Sequence, residues 1–167
     1  MPEFESAGVR LHYELHGPAD GAPIVLIHGY CSDYALNWVG TRWQETMVGA
    51  GYRVIGLDCR GHGLSAKPHD SNAYTMDVMA ADVINLLDEV RITSTRYLGY
   101  SMGARIGLQA VVDFPDRVRS AVLGGIGMSG AIEEAEQIAR ALRGGEAEGA
   151  SALSFQRFAS AREINDL

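Results

Sequence analysis

Cysteine is scarce. Cys31 and Cys59 are the two thiols in 167 residues, and they form neither a disulfide framework nor a CxxC redox or zinc pair. Bases are short as well: 14 Lys and Arg against 21 Asp and Glu leave a formal charge of −7. That balance argues against nucleic acid as a partner, since phosphates want a basic patch, and against an anionic membrane surface. No apolar run approaches the roughly 18 residues of a membrane span. The start, Met1-Pro2-Glu3-Phe4-Glu5, has no basic region and no apolar region of the kind a signal peptide carries. The expected compartment is therefore the cytoplasm. Repeats and low-complexity segments are missing too. What remains is 47% hydrophobic and 21% charged, the balance of a globular chain. A chain this long buries roughly 68–70% of its unfolded surface, so a true core is expected.

Short apolar runs alternate with helical patterns. Leu11 to His16 alternates apolar and polar, as a half-buried strand does. Pro23 to Ile27 is a continuous apolar run, as in a strand buried on both faces. Leu36, Val39, Trp43 and Met47 recur at helical spacing, with Gly49 and Gly51 to stop the helix. Tyr52–Leu57 reads as a strand, and a Gly- and His-rich loop follows from Asp58 to Ser71. Thr75 is an expected N-cap for a helix carrying Met79, Val83, Leu86, Leu87 and Val90 on one face. Arg96–Gly99 is a strand, Ala104–Val112 a helix ending before Pro115, and Ser120–Leu123 a further buried strand. Alternating strands and helices predict an α/β fold: a three-layer α/β/α architecture with a mostly parallel sheet and antiparallel strands at its N-terminal edge. After Gly130 two helical stretches and no strand signal follow. The expected division is residues 1–130 as the core and 131–167 as the beginning of a helical cap.

Gly99-Tyr100-Ser101-Met102-Gly103 matches G-x-S-x-G, with a strand before it and a helix after it. A serine on a sharp, strained turn needs small neighbours, and the helix that follows aims amide groups and a positive dipole end at a developing oxyanion. His28-Gly29-Tyr30 follows the buried strand, and Asp58-Cys59-Arg60-Gly61-His62-Gly63-Leu64-Ser65 follows the next. In these three motifs, and in their order, residues 8 to 130 resemble the α/β-hydrolase family of esterase- and lipase-like serine hydrolases. The resemblance implies an α/β-hydrolase fold truncated after its sixth strand and the start of a helical cap. It implies Ser101 as the catalytic nucleophile toward a small-molecule acyl substrate, most simply a carboxylic ester. The backbone N–H groups of Tyr30 and Met102 would line the oxyanion hole. His28 would shape its loop. No metal and no organic cofactor is required.

The family's triad runs Ser, then acid, then His, yet His12, His16, His28, His62 and His69 all precede Ser101. The triad Asp and His are thus expected to be missing from this chain. His28 and His62 lie by family geometry on loops near the sheet's carboxyl edge, but nothing in the sequence holds either beside Ser101. Two alternatives follow. One is an inactive fragment or interaction module, self-associating through an open sheet edge. The other is C–C bond hydrolysis, acyl transfer or perhydrolysis on the same fold. Gly125–Gly130 spells G-x-G-x-x-G, but no acid-tipped strand follows it, and small residues lining a strand end explain it better. His12-x-Glu14-x-His16 reads as the polar face of an edge strand rather than a zinc site. Cys31 and Cys59 have no evident base partner, and Trp38 and Trp43 read as packing residues.

Overall fold

A computed structural model describes residues 1–127 together with Arg140 and Glu146. The chain divides into two compact units, Met1–Ile126 and Gly127–Leu167. The helical cap expected from 131 onward lies outside the described residues, as do Met128, Ser129 and Gly130 of the Gly125–Gly130 motif.

Six strands form one sheet: β1 (Glu3–Ser6), β2 (Val9–His16), β3 (Ala22–Ile27), β4 (Tyr52–Leu57), β5 (Thr95–Tyr100) and β6 (Val118–Gly124). Their order is β1-β2-β4-β3-β5-β6. The first two strands run antiparallel, β2 against β4, and β3 to β6 run parallel. Within Met1–Ile126 three α-helices, α1 (Trp43–Gly49), α2 (Met76–Glu89) and α3 (Met102–Asp113), flank the sheet.

The period of two along β3 sorts its side chains onto opposite faces. Val25 and Ile27 join Ile55 and Leu57 under Met79, Val83, Leu86 and Leu87 of α2 and Ile106 and Ala110 of α3. Ile24 and Leu26 join Val54 and Leu98 under Tyr34 and Trp38 on the other side. Both faces are covered, which is why β3 carries an uninterrupted apolar run.

Three expectations are corrected. The helix expected across Leu36, Val39, Trp43 and Met47 is two pieces: a π-helical turn, Ala35–Val39, and α1. Arg42, at φ 65°, breaks the helix between them. The stripe was also on the wrong face, since Leu36, Val39 and Trp43 are exposed while Trp38 is buried. Ser120–Leu123 is not buried. β6 pairs only with β5 among the described residues, and Val122 is 65% exposed. An apolar run does not tell a central strand from an outer one. Finally, β2 is not an edge: β1, a strand that no sequence signal marked, lies outside it, and His12 is buried.

Candidate active site

Sheet register assembles the site. Ile27 at the end of β3 is level with Leu57 of β4 and with Gly99 of β5. His28 and Asp58 therefore leave the sheet side by side at its carboxyl rim, where Tyr100 closes β5 and Ser101 follows it, the rim at which open α/β sheets bind ligands.

Ser101 sits between β5 and α3 with φ 52° and ψ −111°. A side chain seldom adopts this backbone, and holding it there costs about 1–3 kcal/mol. Hydrogen bonds pin it on both sides. Ser101 N–H donates to the Gly124 carbonyl at 2.9 Å, and the Ser101 carbonyl accepts from Ala104 and Arg105 at 3.1 and 3.2 Å. The small neighbours are a steric requirement. A Cβ at Gly99 would strike the Gly103 carbonyl and come within 2.8 Å of the Ala104 nitrogen; one at Gly103 would strike the Ile27 carbonyl. Met102 opens α3, so its amide precedes the first intrahelical bond and lies at the positive end of the helix dipole.

The His28-Gly29-Tyr30 loop lies against this turn. A Cβ at Gly29 would be 3.4 Å from the Ser101 Cβ and 3.2 Å from the Tyr100 ring. The Cys59 N–H donates to His28 Nε2 at 3.0 Å, while His28 Nδ1 lies 2.7 Å from the Gly29 carbonyl. A carbonyl only accepts, so Nδ1 carries the ring proton and donates it. The peptide unit is planar and trans, so fixing the Gly29 C=O also fixes the Tyr30 N–H, which points the opposite way. His28 thus shapes its loop through both ring nitrogens.

The loop after β4 is built around charge. Asp58 Oδ1 accepts from the Tyr34 N–H at 2.8 Å and Oδ2 from the Leu64 N–H at 2.9 Å. Arg60 grips Asp82 of α2 through Nε and Nη2, both at 2.6 Å. Ser65 Oγ donates to the Asp58 carbonyl and accepts from the His12 N–H. His62 Nδ1 donates to the Arg60 carbonyl at 3.0 Å. Its ring meets those of His28 and Tyr30 at 5.2 and 5.6 Å, and its Nε2 is buried with no hydrogen-bond partner among the described residues. Burial pushes the His62 pKa below its ordinary 6.5.

Ser101, Tyr30 and Met102 are therefore gathered at one rim. Sequence reasoning missed Asn37, whose Oδ1 accepts the Gly29 N–H at 3.0 Å, and the Arg60–Asp82 pair. An asparagine within an otherwise apolar stretch beside Trp38 was the one signal available. Among the described residues no group of three His, Cys, Asp or Glu side chains could hold a metal ion. Both cysteines are buried, which raises their thiol pKa values, that of Cys31 to about 11.

The family profile described as alpha/beta hydrolase fold matches residues 22–161. The chain belongs to the alpha/beta hydrolase fold family. Among curated alpha/beta hydrolase relatives, a putative carbamate hydrolase from Variovorax paradoxus (strain S110) is 39% identical over 116 residues, or 68% of this chain and 41% of that protein. An epoxide hydrolase from Caballeronia sordidicola is 35% identical over 122 residues, 72% of this chain and 36% of that protein. Among solved structures, the enol-lactonase from Burkholderia xenovorans LB400 superposes with a TM-score of 0.72 at 24% identity, covering 84% of this chain and 53% of that one; this likeness bears on the fold. The chain thus spans about two fifths of the length of these two curated relatives.

Proposed function

We propose that this chain carries the nucleophile half of a serine hydrolase acting on carboxylic esters. Ser101 Oγ adds to an acyl carbonyl, and the oxygen of the tetrahedral intermediate accepts hydrogen bonds from the backbone N–H groups of Tyr30 and Met102. Expulsion of the alcohol leaves an acyl-enzyme, which water releases. The observation that carries the reading is the strained Ser101 backbone at the mouth of α3, packed against Gly29. A carbonyl substrate suits two convergent amides, because its oxygen gains charge as Ser101 attacks. The carbamate named for the Variovorax relative has such a carbonyl, whereas an epoxide has none.

No base is assigned. All five histidines precede Ser101, against the family's chain order. His28 has both ring nitrogens bonded to backbone groups, and His62 Nε2, which has no hydrogen-bond partner among the described residues, is not bonded to Ser101. Acylation by this chain on its own is therefore expected to be slow. Treatment with a fluorophosphonate probe and mapping of the adduct tests the reading. Labelling at Ser101 supports it; labelling at another residue, or none, overturns it. C–C hydrolysis, acyl transfer and perhydrolysis on the same fold are distinguished by what the reaction releases.

A second reading is favoured by β6. Its outer edge is unpaired among the described residues and its Val122 is exposed, and such edges recruit other strands. On this reading the chain self-associates, and gel filtration returning a clean monomer counts against it.

A further inference from the structure

We infer that Asn37 is a positioning residue for the oxyanion site, acting through Gly29, whose N–H it holds and whose carbonyl begins the peptide that carries the Tyr30 N–H. The inference deepens the proposed role of Ser101 and rests on it. Asn37 lies in the π-helical turn Ala35–Val39, a wide turn of the kind found at functional sites. Its main chain is tied on both sides: its N–H donates to the Asp33 carbonyl at 3.0 Å, and Thr41 Oγ1 donates to its carbonyl at 2.6 Å. Asp33 Oδ1 accepts the Leu36 N–H at 2.7 Å, capping the turn. The neighbouring Trp38 is buried in the core. This support leaves Asn37 Oδ1 held 3.0 Å from the Gly29 nitrogen.

Gly29 is buried and close to Ser101, so its amide has few other acceptors to turn to. With the N–H held by Asn37 and the C=O held by His28 Nδ1, Gly29 is fixed at both of its polar groups. Glycine alone has broad conformational freedom, and these two bonds remove it. Peptide planarity then transmits the orientation to the Tyr30 N–H. An oxyanion donor works only if it is aimed before charge develops. Asn37 touches neither the serine nor the acyl group in this scheme. It sets where the amide points.

The test compares the rate of phosphonylation by a fluorophosphonate in the unaltered chain, Asn37→Ala and Asn37→Asp. In that reaction the Ser101 oxygen bonds to phosphorus, the P–F bond breaks, and fluoride and the hydroxyl proton pass to solvent. The phosphoryl oxygen occupies the oxyanion position. Asn37→Ala is expected to slow labelling about 10–100-fold, somewhat less than outright loss of a donor, and to speed hydrogen exchange of the Gly29 amide. Asn37→Asp keeps an acceptor in place and is expected to restore both the exchange protection and most of the labelling rate. Melting temperatures are measured alongside, and rates are compared where every variant is folded. A purely structural role lowers the melting temperature of Asn37→Ala but leaves the labelling rate of the folded protein unchanged, and that result overturns the inference. So does an Asn37→Asp variant that regains Gly29 protection but labels as slowly as Asn37→Ala. If the unaltered chain is not labelled at Ser101, the serine-hydrolase reading fails first and this inference falls with it.

Discussion

Asp82→Ala should be among the most damaging single changes in this chain. Asp82 and Arg60 are each 2% exposed. The carboxylate receives Arg60 Nε and Nη2 at 2.6 Å each, and also the Ser6 hydroxyl, which in turn accepts from Asn85 Nδ2 at 2.8 Å. Truncation leaves the guanidinium with one described partner, the Ala73 carbonyl at 2.9 Å. A buried cation stripped of its counter-charge costs about 3–5 kcal/mol, against a total of roughly 5–15 kcal/mol for a domain. The attraction between the two ions is not what sets this figure. Most of it is the desolvation of the cation left behind, so removing both charges should be far cheaper than removing one. The double variant Arg60→Met/Asp82→Leu is therefore expected to be more stable than Asp82→Ala by about 2 kcal/mol or more. Urea unfolding followed by circular dichroism measures both at pH 7. An Asp82→Ala cost below about 1 kcal/mol, or a double variant as unstable as the single, would refute the reasoning.

Three further outcomes are expected. Ser101→Gly should raise stability by about 1 kcal/mol while abolishing fluorophosphonate labelling, because φ 52°, ψ −111° is open to glycine and strained for serine; a destabilised variant in a denaturant titration contradicts this. His62 has a pKa below 6.5 in the folded chain, so the unfolded chain binds the extra proton and stability falls as pH drops through 6.5. His62→Gln should make that decline shallower between pH 6.5 and 5, and unchanged slopes in urea titrations exclude the assignment. With Cys31 near pKa 11, about one thiol in a thousand is ionised at pH 8, and Cys59 is raised as well. An aromatic disulfide reagent should therefore modify both cysteines in denaturant and neither in the native chain.

The fold was legible where burial repeats. Tyr52–Leu57 and Ile24–Ile27 are central strands with apolar side chains facing both helical layers, and their composition says so. The α2 face was legible for the same reason, with Met79, Val83, Leu86 and Leu87 all buried. The failures have a common cause. Val122 and Val25 are the same residue in similar runs, yet one is 65% exposed and the other fully buried. The difference lies in sheet order, because β3 has neighbours on both sides and β6 on one among the described residues. A run of apolar residues does not count its neighbours. Glu3–Ser6 went unmarked because four residues with a single apolar side chain, Phe4, carry too little pattern to register. The Leu36–Met47 stripe misled because a left-handed residue at Arg42 resets the helical phase, and no period survives such a reset.

The same distinction separates the parts of the site. Ser101, Gly99 and Gly103 could be read because they record an exclusion: any side chain at either glycine would run into backbone of β3 or α3. Exclusion leaves a local signature, since it restricts the residue type at a fixed spacing. The groups proposed to meet the oxyanion are backbone amides, which every residue but proline possesses, so Tyr30 and Met102 are marked by position and not by identity. What holds the Gly29 loop is a pair of single hydrogen bonds, Asn37 to Gly29 across eight residues and His28 to Cys59 across 31. A bond of that kind needs one acceptor at one place, which a histidine or an asparagine supplies without altering any pattern around it. Steric demands were therefore readable from sequence, while the single hydrogen bonds that hold the Gly29 loop were not.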